Sequence, residues 1–295
     1  MSKVHPPHHI PVLLESTLNA LQPQKGENYL DLTFGYGGHA AAVLSRTGNY
    51  ADSVLVDRDD YAISNGQSFA ERGAQLLHSD FVTAAEALIG QNKQFSLVLI
   101  DLGVSSPQLD QGERGFSFTN NGPLDMRMDR RQPVTAADIV NQQSIDELAR
   151  LIHLYGDEPY TMAKRIANAI TENRPFSETN QLASVIAATY RRRKGHIHPA
   201  TRTFQALRIA VNDELGQVEK ILPLLPKLLK PGGRVGIISF HSLEDRLVKQ
   251  YFKEQMAAGY EAELIVQTKR PISGADYDVH NPRSRSAKLR VAVKK

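Results

Sequence analysis

A chain of 295 residues, 41% hydrophobic and 23% charged, is long enough for one large domain carrying an insertion, or for two domains with separate cores. No apolar run approaches the ~20 residues that span a bilayer, and the opening segment lacks a signal-peptide core, so a cytoplasmic protein without a membrane partner is expected. The absence of cysteine excludes disulfides, thiolate metal sites and a catalytic thiol, while the formal net charge of +3 says little until its distribution is seen.

The first strong pattern is Tyr29-Leu30-Asp31-Leu32-Thr33-Phe34-Gly35-Tyr36-Gly37-Gly38-His39, an apolar run that ends in a carboxylate and then in three glycines within four residues. Ala40 to Leu44 follow with no helix breaker, so the local reading is strand, glycine loop, helix. Such a loop cradles a ligand: Gly35, Gly37 and Gly38 allow close backbone approach, and the N–H groups opening the helix attract electron-rich groups. Ser53 to Val56 reads as a second strand ending at Asp57, Gln75 to His78 as a weak third, and Leu97 to Ile100 as a fourth ending at Asp101. Helical segments at Tyr61 to Arg72 and Thr83 to Leu88 separate them. This alternation predicts a Rossmann-like, doubly wound parallel sheet, whose ligands bind beyond the carboxyl ends of the strands. Asp31, Asp57, Asp80 and Asp101 all fall at or just past such ends.

Asp57 lies 20 residues beyond Gly37, where an acidic side chain on the second strand reaches the hydroxyls of an adenosine ribose. Nicotinamide dinucleotides and S-adenosylmethionine both satisfy this. Asp31 discriminates, because a carboxylate just before the loop repels a pyrophosphate and suits the ammonium group of a methionine moiety.

Beyond Asp101, Leu102-Gly103-Val104-Ser105-Ser106-Pro107-Gln108 forms a shaped backbone wall. Phe116, Phe118, Met126 and Met128, with arginines beside them, line a base pocket or form a loop's own small core. From Thr135 to Ile209 the pattern is helical: Ser144 and Glu147 make a capping box, a second helix runs to Pro175, and a third runs through Leu182 to Tyr190. A last helix is expected from Thr203 to about Lys220. The strands resume at Val235 to Ser239, leading to His241 at the ligand edge. Two β-rich runs, Glu263 to Lys269 and Ser286 to Val293, are expected to pair antiparallel. The predicted domains are therefore a discontinuous sheet domain, 1–133 with 209–295, and an all-helical insertion, 134–208. Arg191 to Ile209 holds six basic residues and no acid, and Lys269 to Lys295 holds eight basic residues against Asp276 and Asp278. His196 and His198 lack a third ligand at suitable spacing, so no metal site is expected.

Several blocks together resemble the ribosomal small-subunit RNA (cytosine-1402-N4)-methyltransferase family of bacteria. They are His9 to Leu14, Phe34 to His39, Asp101 to Leu109, Arg114 to Phe118, Gly122 to Asp129, His198 to Ile209, Ile238 to Arg246 and Asn281 to Arg290. The resemblance implies an S-adenosylmethionine site with Gly37, Gly38 and His39 at the loop, Asp57 at the ribose, Phe81 near the adenine, and Asp101 and Gln108 beside the methionine end. It implies a helical domain between the fourth and fifth strands, and small-subunit ribosomal RNA or the 30S subunit as partner. The chain departs from the general methyltransferase loop at Thr33 and Leu32, and from the family's basic sequence at Gly156 to Tyr160.

A cytosine amine is a poor nucleophile that must be oriented, so Asp101 and the Ser105-Ser106-Pro107 wall, with His241 nearby, are the candidate catalytic groups. Ser106-Pro107-Gln108 resembles the proline motif of other amino-methyltransferases without its second proline and aromatic. Arg191, Arg192, Arg193, Lys194, Arg202, Arg283, Arg285 and Arg290 are the expected phosphate contacts. A nicotinamide-dependent oxidoreductase leaves Asp31 unexplained, and a non-catalytic RNA-binding module has no need of four strand-end carboxylates.

Overall fold

The computed structural model describes residues 11–190 and 198–295. They divide into two compact units, one whose first segment ends at Gly103 and which resumes at Leu215–Lys295, the other Val104–Glu214.

The first unit is built on an eight-stranded sheet: β1 (Tyr29–Asp31), β2 (Val54–Asp57), β3 (Gln75–His78), β4 (Phe95–Asp101), β5 (Leu229–Ser239), β6 (Leu264–Val266), β7 (Ile272–Ser273) and β8 (Lys288–Lys294). Its order is β3-β2-β1-β4-β5-β8-β6, with β7 also paired to β8. The first five strands run parallel, and β8 lies antiparallel to both β5 and β6. This is the doubly wound α/β sheet with a C-terminal antiparallel pair. The strand order reverses between β1 and β4, so the crevice opens at Asp31 and Asp101.

Both faces of the sheet are covered, and period-two alternation sends residues to one or the other. Leu30, Val56, Val98, Ile100 and Ile237 pack with Val82, Leu88, Val248 and Phe252 from helices Phe81–Gly90 and Ser242–Ala257. Tyr29, Leu55, Leu97, Leu99 and Ile238 pack with Leu18 and Leu21 of helix Leu14–Leu21 and with Val43 and Leu44 of helix Gly38–Thr47. The weak signal of β3 has a physical cause. It is the sheet's edge strand, none of its four residues is fully buried, and its sequence carries no continuous apolar run. The single helix expected from Tyr61 to Arg72 is two short ones, Asp60–Asn65 and Gln67–Ala70, interrupted at Gly66.

The second unit has helices Ala136–Gln142, Ile145–Gly156, Tyr160–Glu172, Thr179–Ala188 and Thr201–Asn212 around one apolar core. The Ser144–Glu147 capping box starts the second of these. The expected boundary at 134 falls inside this unit. Phe116, Leu124, Met126 and Met128 belong to its core, and Asn212 ties them in by accepting from Met128 N–H (2.8 Å) and donating to the Met126 carbonyl (2.8 Å). Met126 is fully buried and Phe116 and Met128 nearly so, so these three form the loop's own core and present no base-stacking faces. Partly buried Phe118 packs against the rings of His198 (4.6 Å between centroids) and Phe204 (4.9 Å). The long helix expected from Thr203 is broken at Asp213, which adopts a left-handed conformation (φ 48°), before helix Glu214–Ile221 begins.

Candidate active site

The crevice is shaped first by backbone bonds. Past the end of β1, Leu32 N–H still donates to the Leu99 carbonyl (3.0 Å) and Phe34 N–H to the Val56 carbonyl (2.9 Å), so the loop leaves the sheet between β4 and β2. Gly35 and Gly37 take φ of +55° and +71°, a region that L side chains enter only with strain. A Cβ on Gly37 would lie 2.8 Å from the Phe34 ring and 2.9 Å from the Phe69 ring, and one on Gly38 would collide with the Pro11 ring. Helix Gly38–Thr47 starts with Gly37 as its cap, a residue with no side chain to bond the first N–H groups, which suits an electron-rich partner.

Four polar side chains then gather. Asp57 accepts from Gly35 N–H (2.7 Å) on one oxygen and from Asp59 N–H (2.8 Å) on the other. It therefore holds the loop, and each oxygen keeps a further lone pair. Asp31, only 1% exposed, accepts from the Tyr29 hydroxyl (2.8 Å) and Thr33 N–H (3.1 Å). Burial pushes the Asp31 carboxyl up to about 7, against the Tyr29 and Thr33 bonds and with help from the Asp57 charge. Burial also raises Asp57, and it holds Asp101 well above the ordinary carboxylate range, where Asp31 and Glu244 add to the effect. His39, buried at the start of its helix, places Nε2 3.7 Å from Asp101 Oδ2, while Asp101 Oδ1 has no hydrogen-bond partner among the described residues. Acidic groups crowded into low dielectric favour a cation, because a positive charge entering there relieves all of them at once.

Phe81 is buried at the start of its helix, with the Arg58 guanidinium 5.8 Å from its ring centroid. Asp80 beside it is a helix cap, accepting from Val82 and Thr83 N–H at 3.1 and 2.9 Å, and does not belong with the ligand-facing carboxylates.

Other expected residues are placed differently. His241 caps helix Ser242–Ala257: its Nδ1 accepts from Glu244 N–H (3.4 Å), while the buried Glu244 carboxylate accepts from Phe240 N–H (2.8 Å) and His241 N–H (3.3 Å). The cap engages one ring nitrogen of His241, while Nε2 is buried 3.2 Å from Glu244 Oε1, without a hydrogen-bond partner among the described residues. His-x-x-Glu has the spacing of Ser-x-x-Glu, a signal the sequence reading passed over. In the second unit, Ser105 is the N-cap of helix Ser106–Asp110, Pro107 lies in its first turn, and Gln108 Oε1 accepts from Ser105 N–H (2.9 Å). The expected wall is thus the rigid first turn of a helix.

Among the expected phosphate contacts, Arg290 is buried and bound to Asp245 (2.8 and 3.3 Å), which also accepts from Lys288 (3.2 Å). It holds a structural carboxylate and leaves the phosphate set. Arg202 lies 3.5 Å from the buried Glu158 and donates to the Asp157 carbonyl (3.3 Å). Arg283 and Arg285 are exposed. Arg191, Arg192, Arg193 and Lys194 lie outside the described residues.

Two residues were missed as site members. Tyr29 sits two positions before Asp31, hence on the same face of one strand, and that spacing was a usable signal. Thr33, noted only as a departure, accepts from Asp101 N–H at 2.6 Å and so ties the exit of β1 to the end of β4.

Comparison with known proteins identifies the family. The profile of the MraW methylase family matches residues 7–295. The ribosomal RNA small subunit methyltransferase H of Synechocystis sp. is 47% identical over 295 residues, covering 97% of this chain and 93% of that one. The protein of the same name from Heliobacterium mobile is 44% identical over 311 residues, covering 97% and 99%. At such identity over nearly the whole of each sequence, the chain belongs to the MraW methylase family.

Proposed function

We propose that this protein transfers a methyl group from S-adenosylmethionine to the exocyclic N4 amine of a cytidine in small-subunit ribosomal RNA. The observation that carries the reading is the acidic cluster of Asp31, Asp57 and Asp101 around a glycine loop in which Gly37 and Gly38 leave no room for a side chain. The relatives' names supply the RNA.

The residues present fit this cofactor. Gly37 and Gly38 lie where a Cβ finds no space, Asp57 keeps acceptor capacity for two ribose hydroxyls, and the cluster's excess negative charge suits an ammonium and a sulfonium. The cofactor supplies an already activated electrophilic methyl. The chain's task is to place and polarise a poor nucleophile. Asp101 Oδ1, buried and without a hydrogen-bond partner among the described residues, accepts from the amine and draws its nitrogen toward tetrahedral geometry. A carboxyl held well above its ordinary range is also a better proton acceptor than a free aspartate. Thr33, bonded to Asp101 N–H, and His39, near its Oδ2, keep that carboxylate in position.

The target base must leave its stack to reach such a crevice, which suits a single-stranded or loop RNA. Arg283 and Arg285, with Arg202 and the 191–194 run, are the phosphate contacts of this reading, and binding through them weakens steeply with salt. Mass spectrometry of small-subunit ribosomal RNA from a deletion strain tests the assignment. One N4-methylated cytidine disappears and returns on complementation; unchanged RNA modification sinks the proposal.

A further inference from the structure

The tail loop 274–287 is more ordered than its surface position requires. Its base is closed by the β7–β8 pairing and by Gly274 N–H donating to the Ala287 carbonyl (2.9 Å). The closure is tight enough that a Cβ on Gly274 would collide with the Ser284 carbonyl. Inside, Asp278 N–H donates to the Gly274 carbonyl (3.0 Å), Asn281 N–H to Asp278 (3.0 Å) and Ser284 N–H to Asn281 (2.9 Å). The Asp278 carboxylate turns inward, accepting from Leu13 N–H (2.9 Å), 265 residues away in sequence, and from the Ser284 hydroxyl. Ser284 is fully buried.

On this fixed frame the outward side chains include Tyr277 (69% exposed) and Val279 (64%), with Asp276, His280, Arg283 and Arg285 also exposed. Tyr277 touches no other ring among the described residues, and Arg285 meets no carboxylate among them. Of the tail's other cations, Arg290 and Lys288 are paired with Asp245 and Lys294 with Glu263. The fold thus commits several cations of this basic tail to carboxylates and leaves Arg285 exposed on the same loop as an exposed aromatic. An exposed planar ring and an exposed guanidinium on one loop are the components of a single-strand stacking platform, since every base offers a π-face and every linkage a phosphate. A loop already ordered before binding loses little further entropy when RNA docks.

We propose that loop 274–287 is an RNA-docking platform, with Tyr277 stacking on an unpaired base and Arg285 contacting an adjacent phosphate. It rests on the reading that ribosomal RNA is the substrate. The test measures binding of the full-length chain to a small-subunit ribosomal RNA transcript over a range of salt, for wild type, Tyr277→Ala, Tyr277→Phe and Arg285→Ala, with S-adenosylmethionine affinity measured in parallel by calorimetry. Tyr277→Ala is expected to bind RNA about tenfold more weakly and Tyr277→Phe within about twofold of wild type. Arg285→Ala lowers the slope of log affinity against log salt by about one. Cofactor affinity stays unchanged in all three. Wild-type RNA affinity in Tyr277→Ala overturns the platform. A wild-type chain that binds cofactor but no transcript overturns the substrate reading, and the platform with it.

Discussion

The exits of β1 and β5 lie on the same carboxyl edge of one sheet, each carries a polar run, and yet they do different things. At β1 the carboxylates of Asp31 and Asp57 hold a glycine loop open, and lone pairs remain for a ligand. At β5 the His241 ring and the Glu244 carboxylate bond back to the first turn of their own helix. Position on the edge nominates a residue for function. What its polar atoms hold separates the two exits: a glycine loop at β1, the start of a helix at β5.

The largest effect that sharpens this contrast is expected at Asp101. Asp101→Asn keeps the shape but weakens the acceptor, and kcat falls roughly 10²–10³-fold with cofactor affinity little changed. Full-rate methylation with weak cofactor binding would instead make Asp101 a cofactor ligand only. Next, Asp57→Ala removes charged acceptors and is expected to weaken S-adenosylmethionine binding roughly 30-fold by calorimetry, about 2 kcal/mol, leaving RNA affinity unaltered.

The third prediction concerns pH. With Asp31 at about 7, its ionised fraction rises from roughly a tenth at pH 6 to roughly nine-tenths at pH 8, so cofactor affinity should tighten about tenfold across that window. The ligand-free protein behaves oppositely. The folded state keeps a proton that the unfolded chain releases near pH 4, so this group's contribution to stability is full below that pH. It is lost as pH rises to about 7. Asp31→Asn should flatten both profiles; if calorimetry and thermal melts show it unchanged from wild type, the charge-matching argument is wrong.

The smallest effect belongs to β5. His241→Ala should cost about 1 kcal/mol of stability as a lost cap while kcat stays within about twofold, and His241→Ser should restore the stability. A hundredfold loss of rate that serine does not rescue would place His241 in the catalytic set.

The strands, the glycine loop, Asp57 and the capping box at Ser144 were legible because each depends on a few neighbouring residues: apolar runs, positive-φ glycines and i to i+3 spacing. Arg290 was misread, and Met126 left between a base pocket and a loop core, for the converse reason. An arginine in a basic tail and a methionine in a loop look available until the chain brings up Asp245 in one case and the helical core in the other. Residue type and spacing by themselves thus determined a doubly wound sheet with a glycine loop at its carboxyl edge and a run of helices between its fourth and fifth strands. Only the tertiary structure decided which charged groups are neutralised by distant partners, that Thr33 fastens Asp101, and that Asp278 anchors the tail loop to Leu13. Those bonds join residues far apart in sequence, and burial, which sets what a charge can do, exists only once they meet.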